Sequence, residues 1–151
     1  TLVAITFKVY IIRIKMTKLL LFILLFFYFP SFGQTVSVMD FVKVKDNKYP
    51  ETLYYYENNW KVYREIAVKS NFISSYKLLK MSADSIANFD LILITEYADS
   101  SQFKLAEERF QKIIKEIRPN GPKLMNNLKP ADFRQNVFAK EAQTLFSSSK
   151  F

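Results

Sequence analysis

The sequence contains no cysteine and no histidine. Without cysteine there are no disulfide bonds, so packing, or packing together with dimerisation, must stabilise the fold. Without either residue type there is no thiolate nucleophile, no serine–histidine or cysteine–histidine pair, no imidazole base and none of the usual zinc or haem ligands. An oxygen-ligated calcium or magnesium site stays open in chemical terms, but no stretch has the pattern of a calcium loop. We therefore predict no cofactor and no metal site.

The mature part of the chain also lacks a strong charge of one sign. The formal net charge is +8, and half of it comes from Lys8, Arg13, Lys15 and Lys18 in an N-terminal stretch without acids. The remaining basic residues are dispersed and form no stripe, which argues against nucleic acid as a partner. Aromatic residues, by contrast, make up 17% of the chain. This content favours a well-filled apolar interior or an aromatic-lined cavity.

Residues 16–33 have the pattern of a secretory signal peptide. A positively charged start precedes residues 19–30, which are almost wholly apolar, and Ser31 and Gly33 occupy the −3 and −1 positions before Gln34. A charged start, a short apolar core and small residues at those two positions are the features that a signal peptidase reads. We therefore expect cleavage before Gln34 and an exported protein, periplasmic or secreted.

Two further expectations concern the flanks of this leader. Residues 1–15 precede the plausible initiator Met16, and we interpret them as an upstream translation artefact. The alternative is one long uncleaved membrane anchor, but the apolar core is shorter than the roughly 20 residues of a spanning helix. We expect no stable membrane span after cleavage, and we treat residues 34–151 as a single domain.

Hydrophobic periodicity predicts the order strand, helix, strand, strand, helix in the mature part. The strands are predicted over residues 36–45, 72–81 and 89–98, and the helices over 50–69 and from an Asp99 cap to about 118. The connector 82–88 is too short for a crossover helix, so the second and third strands should pair antiparallel. Residues 137–146 supply either a fourth strand or a terminal helix.

This order is the ferredoxin-like βαββαβ arrangement, and three stretches carry a more specific resemblance. Residues 40–45, the run Tyr-Glu-Asn-Asn-Trp at 56–60 and residues 89–97 resemble the dimeric α/β-barrel superfamily, which includes antibiotic-biosynthesis monooxygenase-like and stress-responsive barrel proteins. The resemblance implies an α+β fold with an antiparallel sheet and two helices on one face. It also implies a homodimer that packs two sheets face to face into a barrel, with a small apolar cavity in each protomer.

The same resemblance limits the activities that are transferable. The haem-degrading branch of the superfamily uses an axial histidine, which this chain lacks, so that activity is not carried over. The cofactor-free oxygenase branch makes few fixed demands on residue type and stays open.

Five residues are candidates for binding a ligand: Tyr56, Trp60, Arg64, Tyr76 and Glu96. Tyrosine and tryptophan combine apolar area with a polar tip, which suits a pocket for a flat or hydrophobic molecule. Helical spacing alone, however, explains Tyr56 and Trp60 as core residues, and this is the simpler interpretation. Arg64 lies one turn beyond Trp60 and could hold an anionic group or pair with surface acids.

The two strand carboxylates, those of Glu96 and Asp40, each allow a functional and a structural interpretation. Glu96 stands in an apolar strand, where a raised pKa would suit an acid or base, although a solvent-facing or interface position is the more common outcome. Asp40, near the centre of the first strand, allows the same alternatives.

Three functions therefore remain open. The leading hypothesis is an exported domain that binds a small hydrophobic or aromatic ligand. The second is a cofactor-independent monooxygenase-like or isomerase-like enzyme, in which Trp60 and Tyr76 shape the cavity and Glu96 or Arg64 supplies polarity. The third is a structural or interaction protein of the cell envelope, which predicts a filled interior.

Overall fold

The computed structural model describes residues 35–82, 84 and 86–146. The predicted leader and the serine-rich tip at 147–149 lie outside the described residues. The strands are β1 (Val36–Val44), β2 (Ser75–Lys80), β3 (Leu91–Tyr97) and β4 (Arg134–Gln143), and the helices are α1 (Tyr49–Tyr55), α2 (Lys61–Lys69), α3 (Ser100–Lys104), α4 (Ala106–Ile117) and α5 (Pro130–Phe133). In this part of the chain no helix is both long enough and apolar enough to cross a bilayer.

The strands form one antiparallel sheet in the order β2-β3-β1-β4. This order, with helices in the β1–β2 and β3–β4 connections, is the ferredoxin-like α+β fold, so the predicted fold class is confirmed. The predicted antiparallel pairing of the second and third strands is confirmed as well. The C-terminal segment is a strand rather than a helix, and it completes the sheet beside β1.

Alternation along the strands separates the two faces of the sheet. Val42, Leu91 and Leu93 are buried beneath the helices. The opposite face carries a phenylalanine cluster of Phe41, Phe89 and Phe138, whose ring centroids lie 4.3 to 6.2 Å apart. One face is therefore an ordinary core, and the other is an apolar surface that no helix of the described chain covers.

The helix predicted over residues 50–69 contains a π-helical turn. Helix α1 continues through Tyr56–Trp60, the π turn, directly into α2. A π turn inserts one extra residue into an α-helix. The 3.6-residue periodicity of the sequence gives no sign of this insertion. As a result Tyr56, Asn59 and Trp60 are all buried. Such turns are frequently found at functional sites.

The second predicted helix is interrupted. Asp99 caps it as expected, because its side chain accepts hydrogen bonds from the backbone N–H groups of Ser101 and Gln102. The helix then breaks at Leu105, so that it is divided into α3 and α4. Phe103 of α3 packs edge-on against Tyr97 at 5.3 Å. Packing on the sheet therefore overrides the helical pattern that runs through residue 105.

Candidate functional site

A pocket of about 280 Å³ lies between the helix face of the sheet and the helices above it. Its apolar wall comes from Val42 and Leu93 on the sheet and from Ile114 on α4. Its polar and aromatic wall comes from Asp40, Tyr55, Tyr56, Trp60, Tyr63, Arg64, Arg134 and Asn136. An apolar cleft with a few convergent polar groups is the usual form of a small-molecule site.

Arg64 projects from α2 and is half-buried. Its Nε donates a hydrogen bond to Thr95 Oγ1 on β3 at 3.3 Å. Its guanidinium carbon lies 4.0 Å from the ring centroid of Phe110 and 5.0 Å from that of Trp60. Burial lowers the pKa of Arg64 to about 10, so the side chain stays charged at neutral pH.

Arg134 is the first residue of β4 and enters the pocket beside the π turn. Its guanidinium carbon lies 4.8 Å from the Tyr55 ring centroid and 5.5 Å from that of Tyr56. Its Nη2 donates to the Tyr55 hydroxyl at 3.5 Å, a long contact, while its buried Nε has no hydrogen-bond partner in the described residues. Sequence reasoning missed Arg134 because the segment predicted as a strand or a helix began only at residue 137, whereas the strand begins at Arg134.

Tyr56 and Trp60 belong to the same wall, and each has a polar atom enclosed by protein. Their side chains are 3% and 9% exposed, and neither the Tyr56 hydroxyl nor the Trp60 Nε1 has a protein partner among the described residues. Burial raises the pKa of Tyr56 to about 12, although the charge of Arg134 acts in the opposite direction. The Tyr56 hydroxyl is therefore protonated at neutral pH and able to donate a hydrogen bond.

The predicted binding residues divide into three groups. Tyr56, Trp60 and Arg64 lie together in the pocket wall. Tyr76 packs edge-on behind Trp60, with ring centroids 5.5 Å apart, so it supports the tryptophan rather than lining the pocket. Glu96 is on the other face of the sheet, because it alternates with the buried Thr95 and Tyr97.

Of the two alternatives for Glu96, the structure shows the solvent-facing one and not the raised pKa that an acid or base would need. Its carboxylate accepts a hydrogen bond from the Ser75 hydroxyl and pairs with Lys77 Nζ at 3.1 Å. The Ser75 hydrogen bond, followed by Lys77, lowers the pKa of Glu96. Glu96 is thus a partly exposed ion-pair residue on the open face of the sheet, away from the pocket.

Asp40 is the carboxylate that the structure does bring to the pocket. It lies on the helix face of β1, opposite Leu93 of β3 and Ala139 of β4. No ion pair within 4.0 Å joins Asp40 to Arg64 or Arg134 in the described part of the chain. The described part of the chain also contains no group of three acidic residues that could hold a metal ion.

The sheet and its helices form a ferredoxin-like α+β domain. Comparisons with known proteins found similarity among solved structures. No protein-family model and no curated protein matches the chain. Similar solved structures include HapK from Hahella chejuensis, at 9% identity and a TM-score of 0.47, covering 77% of this chain and 98% of that one. A dimeric ferredoxin-like protein of unknown function from Bacteroides fragilis has 15% identity and a TM-score of 0.40, covering 78% and 100%.

A third similar structure comes from Bacteroides thetaiotaomicron and is described, by inference, as an antibiotic biosynthesis monooxygenase. It has 15% identity and a TM-score of 0.44, covering 79% of this chain and 96% of that one. The ferredoxin-like dimer and the monooxygenase-like protein are of the kinds that the sequence resemblance named. Identities this low concern the fold alone, and the function must be argued from the pocket.

Proposed function

We propose that this chain is an exported, homodimeric domain that binds a small hydrophobic or aromatic molecule in the pocket beside Trp60. The observation that carries the proposal is the pocket itself, which is formed between sheet and helices and has apolar and polar walls. Its volume of about 280 Å³ is close to the lower end of the ~300–1,000 Å³ range of ligand sites. A small ligand therefore fits. The exported location follows from the leader pattern.

The unpartnered polar atoms of Tyr56 and Trp60 support this proposal. Leaving a buried donor or acceptor unpaired costs about 1–3 kcal/mol, so native proteins rarely keep such groups without a partner. Both atoms belong to residues that line the pocket but are themselves enclosed by protein, so a bound molecule would pair with them after a small shift of these side chains. The aromatic rings beside them supply the apolar contact area.

Filling the pocket should weaken ligand binding. Ile114 lines the pocket from α4, so Ile114→Phe is expected to occupy the ligand's volume and weaken binding of small aromatic compounds at least about tenfold. The chain contains one tryptophan, and Trp60 emission therefore reports on the pocket directly. Titrations of p-cresol and indane, followed by ligand-observed NMR and by Trp60 fluorescence, measure the effect.

Ile117→Phe is the matched control for this substitution. Ile117 is on the same helix, is half-buried like Ile114 and packs against the same core, but it does not line the pocket. The control should bind the compounds as the wild type does. Equal binding by the wild type and Ile114→Phe would show that the compounds bind elsewhere.

The chemistry of the open face of the sheet supports the proposed homodimer. This face has an apolar centre of phenylalanine-cluster residues with Met39, Ile92 and Ile94, and polar side chains towards its ends. Apolar patches of this kind on a sheet mark interaction surfaces, and an apolar centre with a polar rim is the usual anatomy of an interface. A second copy, whose own sheet has the same chemistry, is the partner that we propose.

Phe138→Lys should convert the dimer to a monomer. Phe138 is 41% exposed on β4, so a lysine there is tolerated by the protomer but places like charges at the centre of the interface. Leu105→Lys is the control, because Leu105 is 43% exposed between α3 and α4 on the helix side. Light scattering at micromolar concentration should give a monomer for Phe138→Lys and a dimer for the wild type and Leu105→Lys. A monomeric wild type would refute the proposed dimer.

A cofactor-independent enzyme is the second candidate, and Asp40 is the observation that favours it. A carboxylate in the same pocket as Tyr56 and two arginines combines a base with groups that stabilise a developing oxyanion. Glu96, which the sequence proposed for this polarity, is on the other face of the sheet. Recovery of a bound compound unchanged after prolonged incubation in air would favour binding over catalysis.

A further inference from the structure

We infer that the ligand of this pocket is an anion, namely a small aromatic or apolar carboxylate whose charged group is bound by Arg64 and Arg134. The inference rests on the proposed function and adds the chemical class of the ligand. It depends on which hydrogen-bonding groups the pocket offers, on their charge and on how the two guanidinium groups are held.

The polar wall of the pocket has more donors than acceptors. Asp40 only accepts, and Asn136 and the tyrosine hydroxyls do both, but the two arginines and Trp60 only donate. A guanidinium group has five N–H donors and no acceptor, and an indole Nε1 is a donor only. The Tyr56 hydroxyl, kept protonated by its raised pKa, adds a further donor. Trp60 Nε1, Arg134 Nε and the Tyr56 hydroxyl are enclosed by protein and have no partner in the described residues, so the donors that a ligand meets directly are those at the ends of the two guanidinium groups. A ligand that satisfies them must supply acceptors.

The charge of the pocket points the same way. Two guanidinium groups and one carboxylate, Asp40, line the pocket, so its formal charge is positive. Asp40 forms no ion pair within 4.0 Å of Arg64 or Arg134 in the described residues, and although its charge acts on Arg64, one carboxylate balances only one of the two arginines. A bound anion would provide the missing counter-charge, and the planar fork of arginine matches a carboxylate in bidentate geometry.

The two guanidinium groups are also held in place before a ligand arrives. Arg64 lies over the rings of Trp60 and Phe110, and Arg134 over those of Tyr55 and Tyr56. The Nε of Arg64 is further fixed by its hydrogen bond to Thr95. Because the positions are set by packing, less side-chain entropy is lost when an anion binds.

A comparison of benzoate with benzamide tests the inference on the full chain. The two compounds have nearly the same size and shape, but only benzoate is an anion that solely accepts hydrogen bonds. Isothermal titration calorimetry should show that the wild type binds benzoate at least about tenfold more tightly than benzamide, because charge-assisted hydrogen bonds are the stronger ones. Arg134→Gln and Arg64→Gln should each reduce this preference to less than about threefold.

Arg109→Gln is the matched control. Arg109 also lies over an aromatic ring, with its guanidinium carbon 4.6 Å from the Phe72 centroid, and also has a buried unpaired nitrogen. It does not line the pocket, so its removal changes the net charge equally and should leave the preference intact. Loss of the preference in this control would assign it to overall charge and overturn the inference.

The outcomes separate this inference from the proposed function. If benzoate and benzamide bind equally well and both alter Trp60 emission, the pocket is a ligand site but its ligand class is not anionic. If neither compound binds at millimolar concentration and p-cresol and indane also fail, the proposed function itself is refuted. The wild-type comparison needs no substitution, so a variant that fails to fold does not affect it.

Discussion

Replacing Phe133 with alanine is expected to lower the free energy of unfolding by about 4 kcal/mol, the size of effect seen when a fully buried phenylalanine is removed. Phe133 is 1% exposed and is among the largest fully buried side chains of the described chain. Its ring packs against that of Tyr55, with centroids 5.7 Å apart. Alanine would leave a cavity beneath α1 that rigid strands and helices fill only in part.

The backbone at Phe133 explains why this loss would extend to the pocket. The Phe133 carbonyl accepts hydrogen bonds from the Lys45 N–H at 2.9 Å and from the Thr52 hydroxyl at 3.1 Å. These bonds join the end of α5 to the residue that follows β1 and to α1, and the next residue is Arg134, which begins β4. A shift at Phe133 would therefore move the guanidinium group of Arg134, and benzoate binding should weaken together with stability.

Chemical denaturation of Phe133→Ala, with Phe146→Ala as control, measures this prediction. Phe146 is 95% exposed, so its removal should change the free energy of unfolding by less than about 0.5 kcal/mol. A loss below about 1 kcal/mol in Phe133→Ala would mean that the side chain is not packed as described.

Replacing Asn59 with aspartate is expected to cost about 3 kcal/mol at neutral pH, because a buried charge would face unpaired carbonyl oxygens. Asn59 is 1% exposed in the π turn. Its amide nitrogen donates to the carbonyls of Tyr55 and Lys123 at 2.9 and 2.8 Å, and its oxygen accepts from the Lys123 N–H at 2.7 Å. A carboxylate keeps the last bond and loses the first two.

The cost of Asn59→Asp should depend on pH in a defined direction. Burial and the two carbonyl oxygens raise the pKa of the new carboxyl group above its unfolded value of about 3.9. A group whose pKa is raised on folding favours the native state below the unfolded pKa, and this contribution is lost as pH rises through the folded value. The variant should therefore approach wild-type stability near pH 4 and be least stable at neutral and higher pH.

Asn58→Asp is the control for charge and position. Asn58 is the preceding residue of the π turn, is half-buried and makes one side-chain hydrogen bond, to the Tyr54 carbonyl at 2.9 Å. Its substitution should cost no more than about 1 kcal/mol. Denaturation curves at pH 4 and pH 7 compare the two variants, and equal losses at both pH values in Asn59→Asp would contradict the buried hydrogen-bond network.

Some of the candidate site could be predicted from the chain itself. Helical spacing puts Tyr56, Trp60 and Arg64 within two turns of each other, so their proximity needs only local geometry. Arg134 follows Arg64 by 70 residues in the chain. It reaches Tyr56 only because β4 pairs with β1. Glu96 was misplaced because one register position decides which face a strand residue occupies.

The sequence by itself determined the ferredoxin-like order of strands and helices, because periods of 2 and 3.6 residues are local properties of the chain. It also determined what chemistry is excluded, since no folding supplies a missing cysteine or histidine. Only the tertiary structure decided the π turn at Tyr56–Trp60, the break at Leu105 and the strand identity of residues 134–143. Each depends on packing between segments distant in sequence, which overrides local preference and which sequence patterns do not record.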